Sequence, residues 1–104
     1  MKLFTTDTIA GSEIKEALGI VKGEVVQSKH IGKDILAGFK TIVGGEIASY
    51  TDMIRQAREI ATNRMIEEAE KLGADAIIGV RFSSSSVMDG ASEIVAYGTA
   101  VKLN

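Results

Sequence analysis

Ala69-Glu70-Lys71-Leu72-Gly73-Ala74-Asp75-Ala76-Ile77-Ile78-Gly79-Val80-Arg81-Phe82 is where one hydrophobic period gives way to another. Upstream, Ile47, Tyr50, Ile54, Ala57, Ala61, Met65, Ala69 and Leu72 recur every three or four residues. That spacing puts them on one stripe of a helix over about 47–72. Ser49 and Asp52 have capping-box-like spacing near its start. Arg55, Glu59, Arg64, Glu67, Glu70 and Lys71 then face away, with Glu67 and Lys71 in the favourable order for an i,i+4 pair. Gly73 stands where a helix needs a left-handed cap.

Downstream the period is two. Residues 76–84 set Ala76, Ile78, Val80 and Phe82 against Ile77, Gly79 and Arg81. Residues 93–103 set Val95, Tyr97, Val101 and Leu103 against Ile94, Ala96, Gly98 and Ala100. Both read as strands, with Ser83-Ser84-Ser85-Ser86 and Met88-Asp89-Gly90 as a polar connection between them. Each has two apolar faces, whereas a small sheet carrying helices on one side should show a polar second face. Ile77, Ile94 and Ala96 would lie on that second face, and the chain has little material left to cover it. The pattern predicts that another subunit does so.

Towards the amino terminus, residues 2–11 are Thr-rich and read as a short strand or arm ending at Gly11-Ser12. Residues 12–28 are mixed. Glu13 to Leu18 favour helix by propensity, but Gly19 and Gly23 interrupt it and Ile20, Val21, Val25 and Val26 favour strand. The reading is a long, glycine-kinked strand. Ile31, Ile35, Leu36, Phe39, Ile42 and Val43 fit one face of a short helix over 31–43, stopped by Gly44-Gly45. The fold class is α+β: a mainly antiparallel sheet with one long and one short helix, in one domain over 1–104.

Composition narrows the function. The 104 residues suit one core, and 45% apolar with 25% charged is globular. With aromatics at 5%, that core must be aliphatic. A net charge of −2, with Lys29, Lys33 and Lys40 scattered, argues against nucleic acid as a partner. No apolar run reaches the roughly 18 residues of a membrane span, and residues 1–7 lack the apolar core of a signal peptide. There is no cysteine, so thiolate metal sites, disulfides and cysteine nucleophiles are excluded. The expected location is the cytoplasm, with no membrane partner.

Four runs carry a family resemblance: Gly38-Phe39-Lys40-Thr41-Ile42-Val43-Gly44-Gly45-Glu46, Ala57-Arg58-Glu59-Ile60-Ala61, Gly73-Ala74-Asp75-Ala76-Ile77-Ile78-Gly79-Val80 and Gly98-Thr99-Ala100-Val101-Lys102. In this order the chain resembles the YbjQ-like family of small proteins over essentially its whole length. The resemblance implies an α+β unit related in architecture to dodecin subunits, a ring-like pentamer, and a heavy-metal-binding label with no assigned reaction. It also favours the strand reading of 12–28.

The residues offer little chemistry of their own. Soft metals prefer thiolate or imidazole, and the chain has one histidine, His30, with Asp34 one helical turn away. Two ligands make a divalent-metal site only if symmetry repeats them around a ring axis; otherwise His30 is a surface histidine. Glu67, Glu68 and Glu70 lie among Arg64 and Lys71 and read as a solvated face, not as paired catalytic carboxylates. His30 has no evident serine partner for a triad. Gly44-Gly45, just before the long helix, offers N–H groups for a small anion, though it serves equally as a plain turn. The expectation is a non-enzymatic homo-oligomeric binding protein taking a metal or small ligand at subunit contacts. The alternatives are a dodecin-like small-molecule store and an enzyme with a composite site between subunits.

Overall fold

The structure is a computed structural model that describes residues 1–28, 42–43 and 46–104. Its elements, in order, are β1 (Lys2–Leu3), β2 (Ile14–Ser28), β3 (Ile42–Val43), β4 (Glu46–Ile47), α1 (Ala48–Lys71), β5 (Ala76–Met88) and β6 (Ala91–Leu103). The main sheet has the order β1-β5-β6-β2, and β3 and β4 form a separate antiparallel pair.

The sheet is mixed, which corrects the expectation of a mainly antiparallel one. β6 runs antiparallel to both β5 and β2, but β1 joins β5 in parallel, with Lys2 opposite Ala76 and Leu3 opposite Ile77. The amino-terminal arm follows this edge. Phe4 N donates to the Ile77 carbonyl, and Val80 N donates to the Phe4 carbonyl, each at 2.9 Å.

The predicted long helix is present and begins at Ala48. The capping-box reading is not met, because Ser49 lies inside the helix and Asp52 pairs forward with Arg55 at 3.4 Å. At the other end Gly73 has φ +77°, Gly73 N donates to the Glu70 carbonyl and Ala74 N donates to the Ala69 carbonyl. These two bonds form the Schellman closure that a left-handed glycine permits. Lys71 approaches Glu68 at 4.0 Å, so the i,i+3 carboxylate takes the contact predicted for Glu67.

The short helix over 31–43 is contradicted at its carboxy-terminal end, where Ile42 and Val43 form β3. Both are β-branched residues that favour strand. The remainder of that prediction lies outside the described residues. The serine run is no loop either: β5 continues through Ser83 to Ser86 and ends at Met88, beside the turn at Asp89-Gly90. Pairing with residues 92–95 of β6 holds these serines extended despite their turn-forming character.

The kinked-strand reading of β2 holds. Its register slips between Ala17 and Gly19, where Gly19 has φ +125°. A second slip lies in β5 between Ile78 and Arg81, where Gly79 has φ +60°. This bulge shifts the side-chain alternation, so Ile77 and Val80 both join the core beneath α1. Ile94, Ala96 and Ala100 of β6 lie in the same core. Ile77 and Ala96 are fully buried within one chain and Ile94 is 3% exposed, so they are not an interface face.

The inner layer is built from small residues. Ala57, Ala61, Met65 and Ala69, four apart on α1, are all fully buried. Gly23 of β2 lies so close to the helix that an added Cβ would fall on the Ala61 carbonyl oxygen and 2.5 Å from the Met65 nitrogen. At Gly98 a Cβ would lie 2.8 Å from the Ile77 side chain. Close approach of α1 therefore selects glycine at position 23, and close approach of β5 selects it at position 98.

Candidate functional site

The residues singled out from the sequence, His30, Asp34, Gly44 and Gly45, lie outside the described residues. The described residues on either side of Gly44 and Gly45 in sequence form the paired strands β3 and β4. Among the described residues no group of three or more His, Asp or Glu side chains is placed to hold a metal ion. None of them buries a polar or charged side chain in the core. Glu67, Glu68 and Glu70 are exposed, as a solvated helix face should be.

Two surfaces stand out. The first is the sheet face turned away from α1. The glycine at position 19 resets the alternation of β2, so Val21 and Val25 enter the core while Ile20 and Val26 point out, 79% and 58% exposed. Register then sets Lys22 opposite Tyr97, and Tyr97 opposite Arg81. The exposed Tyr97 ring thus lies in a row between two cationic side chains. The next row along the sheet holds Glu24, the half-buried Val95 and Ser83. Arg81 is oriented from the arm side, its Nη1 donating to the Thr5 carbonyl at 2.9 Å. The second surface is an open cavity of about 490 Å³, lined by Met1, Phe4, Ile9, Asp75, Ala76 and Leu103 among others. Its carboxylate is already engaged: Leu103 N donates to Asp75 Oδ2 at 2.9 Å. Nearby Asn104 Nδ2 donates to Glu13 Oε1 at 2.6 Å. The first bond ties β6 to the loop before β5, and the second ties the residue after β6 to the residue before β2.

The outer face was legible as a pattern but assigned to the wrong residues. The signal was two apolar faces; what decided between them was residue size, which hydrophobic alternation does not register.

A family model described as "Putative heavy-metal-binding" matches residues 1–104. The chain belongs to the YbjQ family. Its relatives include UPF0145 proteins from several bacteria. One from Vibrio parahaemolyticus is 64% identical over 95% of this chain and 94% of its own length. One from Fervidobacterium nodosum is 65% identical over 99% of this chain and 95% of its own. A crystal structure of a protein of unknown function from the DUF74 family of Pediococcus pentosaceus superposes with a TM-score of 0.66. It covers 100% of this chain and 98% of that one at 19% identity, so it supports the fold alone. No helix among the described residues is long and apolar enough to cross a membrane.

Proposed function

We infer that the protein is a non-enzymatic, homo-oligomeric binding protein that takes a divalent metal or another small ligand at contacts between subunits. The observation that carries this reading is the outer sheet face, where Ile20, Val26 and Tyr97 stand exposed. Exposed apolar residues grouped on one face favour an interface. The YbjQ family description supplies the ligand class. A closed ring, a pentamer in this reading, provides what one chain lacks. It repeats His30 and Asp34 around an axis, and so gathers several imidazoles from a chain that has one. The Gly44-Gly45 segment is the corresponding place for an anionic ligand.

Native mass spectrometry of freshly purified protein tests stoichiometry and retained ligand together. Calorimetric titration with Zn²⁺ or Cd²⁺ tests the metal: binding is expected to need the oligomer and to weaken strongly in His30→Ala. Tight binding by that variant, or a monomer mass for the unmodified chain, overturns the reading.

A further inference from the structure

The amino-terminal arm gives more of its residues to a cavity than to the core. Within residues 1–13 only Leu3 packs against the core cluster. The open cavity of about 490 Å³ takes most of its lining from the same stretch. A volume of that order suits a small organic molecule. The alternation of β1 explains the division. Leu3 and its partner Ile77 turn to the core, so Lys2 and its partner Ala76 turn to the opposite face, where the cavity lies. Ala76, 1% exposed, forms its floor. A turn over 9–12 forms a wall: Ser12 N donates to the Ile9 carbonyl at 3.1 Å, and Gly11 takes φ +87°. Phe4, Ile9 and Leu103 give the cavity apolar sides.

Two groups of opposite charge, Lys2 and Asp75, border this apolar space. The carboxylate is held in place. Asp75 N donates to the Val101 carbonyl at 2.8 Å, and Leu103 N donates to Asp75 Oδ2 at 2.9 Å. The other oxygen, Oδ1, accepts no bond among the described residues. Lys2 forms no ion pair among them, with Asp75 or with any other carboxylate. Opposite charges that share a cavity without neutralising each other favour a ligand that carries both signs.

We propose that this cavity binds a free α-amino acid with a large apolar side chain. The ligand ammonium donates to Asp75 Oδ1, and the ligand carboxylate meets the Lys2 ammonium. The ligand side chain lies against Phe4, Ile9 and Leu103. Each part of such a molecule answers a part of the lining. A simple amine leaves Lys2 without a counter-charge, a simple carboxylic acid is set against Asp75, and a bare metal ion leaves the apolar sides unused. The site is built within one chain. It is therefore separate from the ligand proposed at subunit contacts and does not depend on self-association.

Titration of the full-length protein with L-phenylalanine tests the site, followed by calorimetry and by amide shifts in two-dimensional NMR. Saturable shifts are expected at Lys2, Phe4, Ile9 and Asp75, and none on the exposed face of α1. Asp75→Asn keeps an oxygen for Leu103 N but removes the charge, and should weaken binding about tenfold. N-acetyl-L-phenylalanine, which has no ammonium, should bind the unmodified chain more weakly by the same factor. That arm puts the same question if Asp75→Asn fails to fold. Lys2→Met should weaken L-phenylalanine about threefold, as befits an exposed ion pair, and leave phenethylamine, which has no carboxylate, unchanged. No saturation below about 10 mM, or shifts that fall elsewhere, overturns the site. Equal binding of L-phenylalanine and its N-acetyl derivative overturns the role of Asp75. An equal effect of Lys2→Met on L-phenylalanine and phenethylamine overturns the pairing of Lys2 with the ligand carboxylate.

Discussion

Gly23 and Gly73 are glycines for different reasons, and each gives a test. Gly73 needs its left-handed φ of +77°, and open space surrounds the position where a Cβ would be. Gly73→Val should therefore cost about 1 kcal/mol or more through backbone strain. An unchanged urea midpoint would count against the cap. Gly23 instead needs the absence of a side chain, because its Cβ position is occupied by the backbone of α1. Backbone yields less readily than a flexible side chain, so Gly23→Ala should destabilise by about 1–3 kcal/mol despite its small volume. Chemical denaturation of the two alanine variants side by side separates the causes: Gly23→Ala should be the more damaging of Gly23→Ala and Gly11→Ala, since Gly11 also has a positive φ but meets no atom within 4 Å.

The element that organises the chain is α1, and its contact with the sheet is narrow. Met65 is the largest fully buried side chain on a helix stripe otherwise made of Ala57, Ala61 and Ala69. Met65→Ala should cost about 2–5 kcal/mol, because alanine neighbours cannot spread to fill the gap. Ile94, 3% exposed in the same core, tests the assignment of faces. Placing an unpaired carboxylate there costs several kcal/mol, a large share of a typical stability of about 5–15 kcal/mol. Ile94→Glu should therefore lose the circular dichroism of the folded chain rather than yield folded monomers. Helix period, carboxy-terminal cap and all three long strands are readable from the sequence, β5 only as far as Ser84. The serine run was not, since Ser favours turns locally and only pairing with β6 holds it extended.

At the scale of the molecule, the side of the sheet away from α1 is the surface assigned to the proposed self-association. Ile20 is 79% exposed, and Tyr97 lies in register between Lys22 and Arg81. Ile20→Glu is expected to lower the mass seen by light scattering while leaving the far-ultraviolet circular dichroism intact, because Ile20 lies outside the buried core. The exposed helix change Lys71→Glu should do neither. An unaltered mass for Ile20→Glu would place the subunit contact elsewhere.

Sequence alone determined the local choices. Period 3.6 gave the helix, Gly73 its end, period two the strands, and Gly19 the kink in β2, because each depends on side chains within a few residues of one another. It also showed that both sheet faces are apolar. Which face meets the helix was decided only in three dimensions. Hydrophobic alternation ranks Val95 and Tyr97 above Ala96 and Gly98 as core, but Ala96 is fully buried and Gly98 lies against the Ile77 and Val80 side chains of β5, while Tyr97 is 40% exposed. The bulge at Gly79 then moves Val80 to that same side, a change of parity that no count of alternating residues in β5 can register without its partner strand. The parallel addition of β1 is likewise tertiary, since its two residues carry too little pattern to specify a neighbour on the far side of the chain.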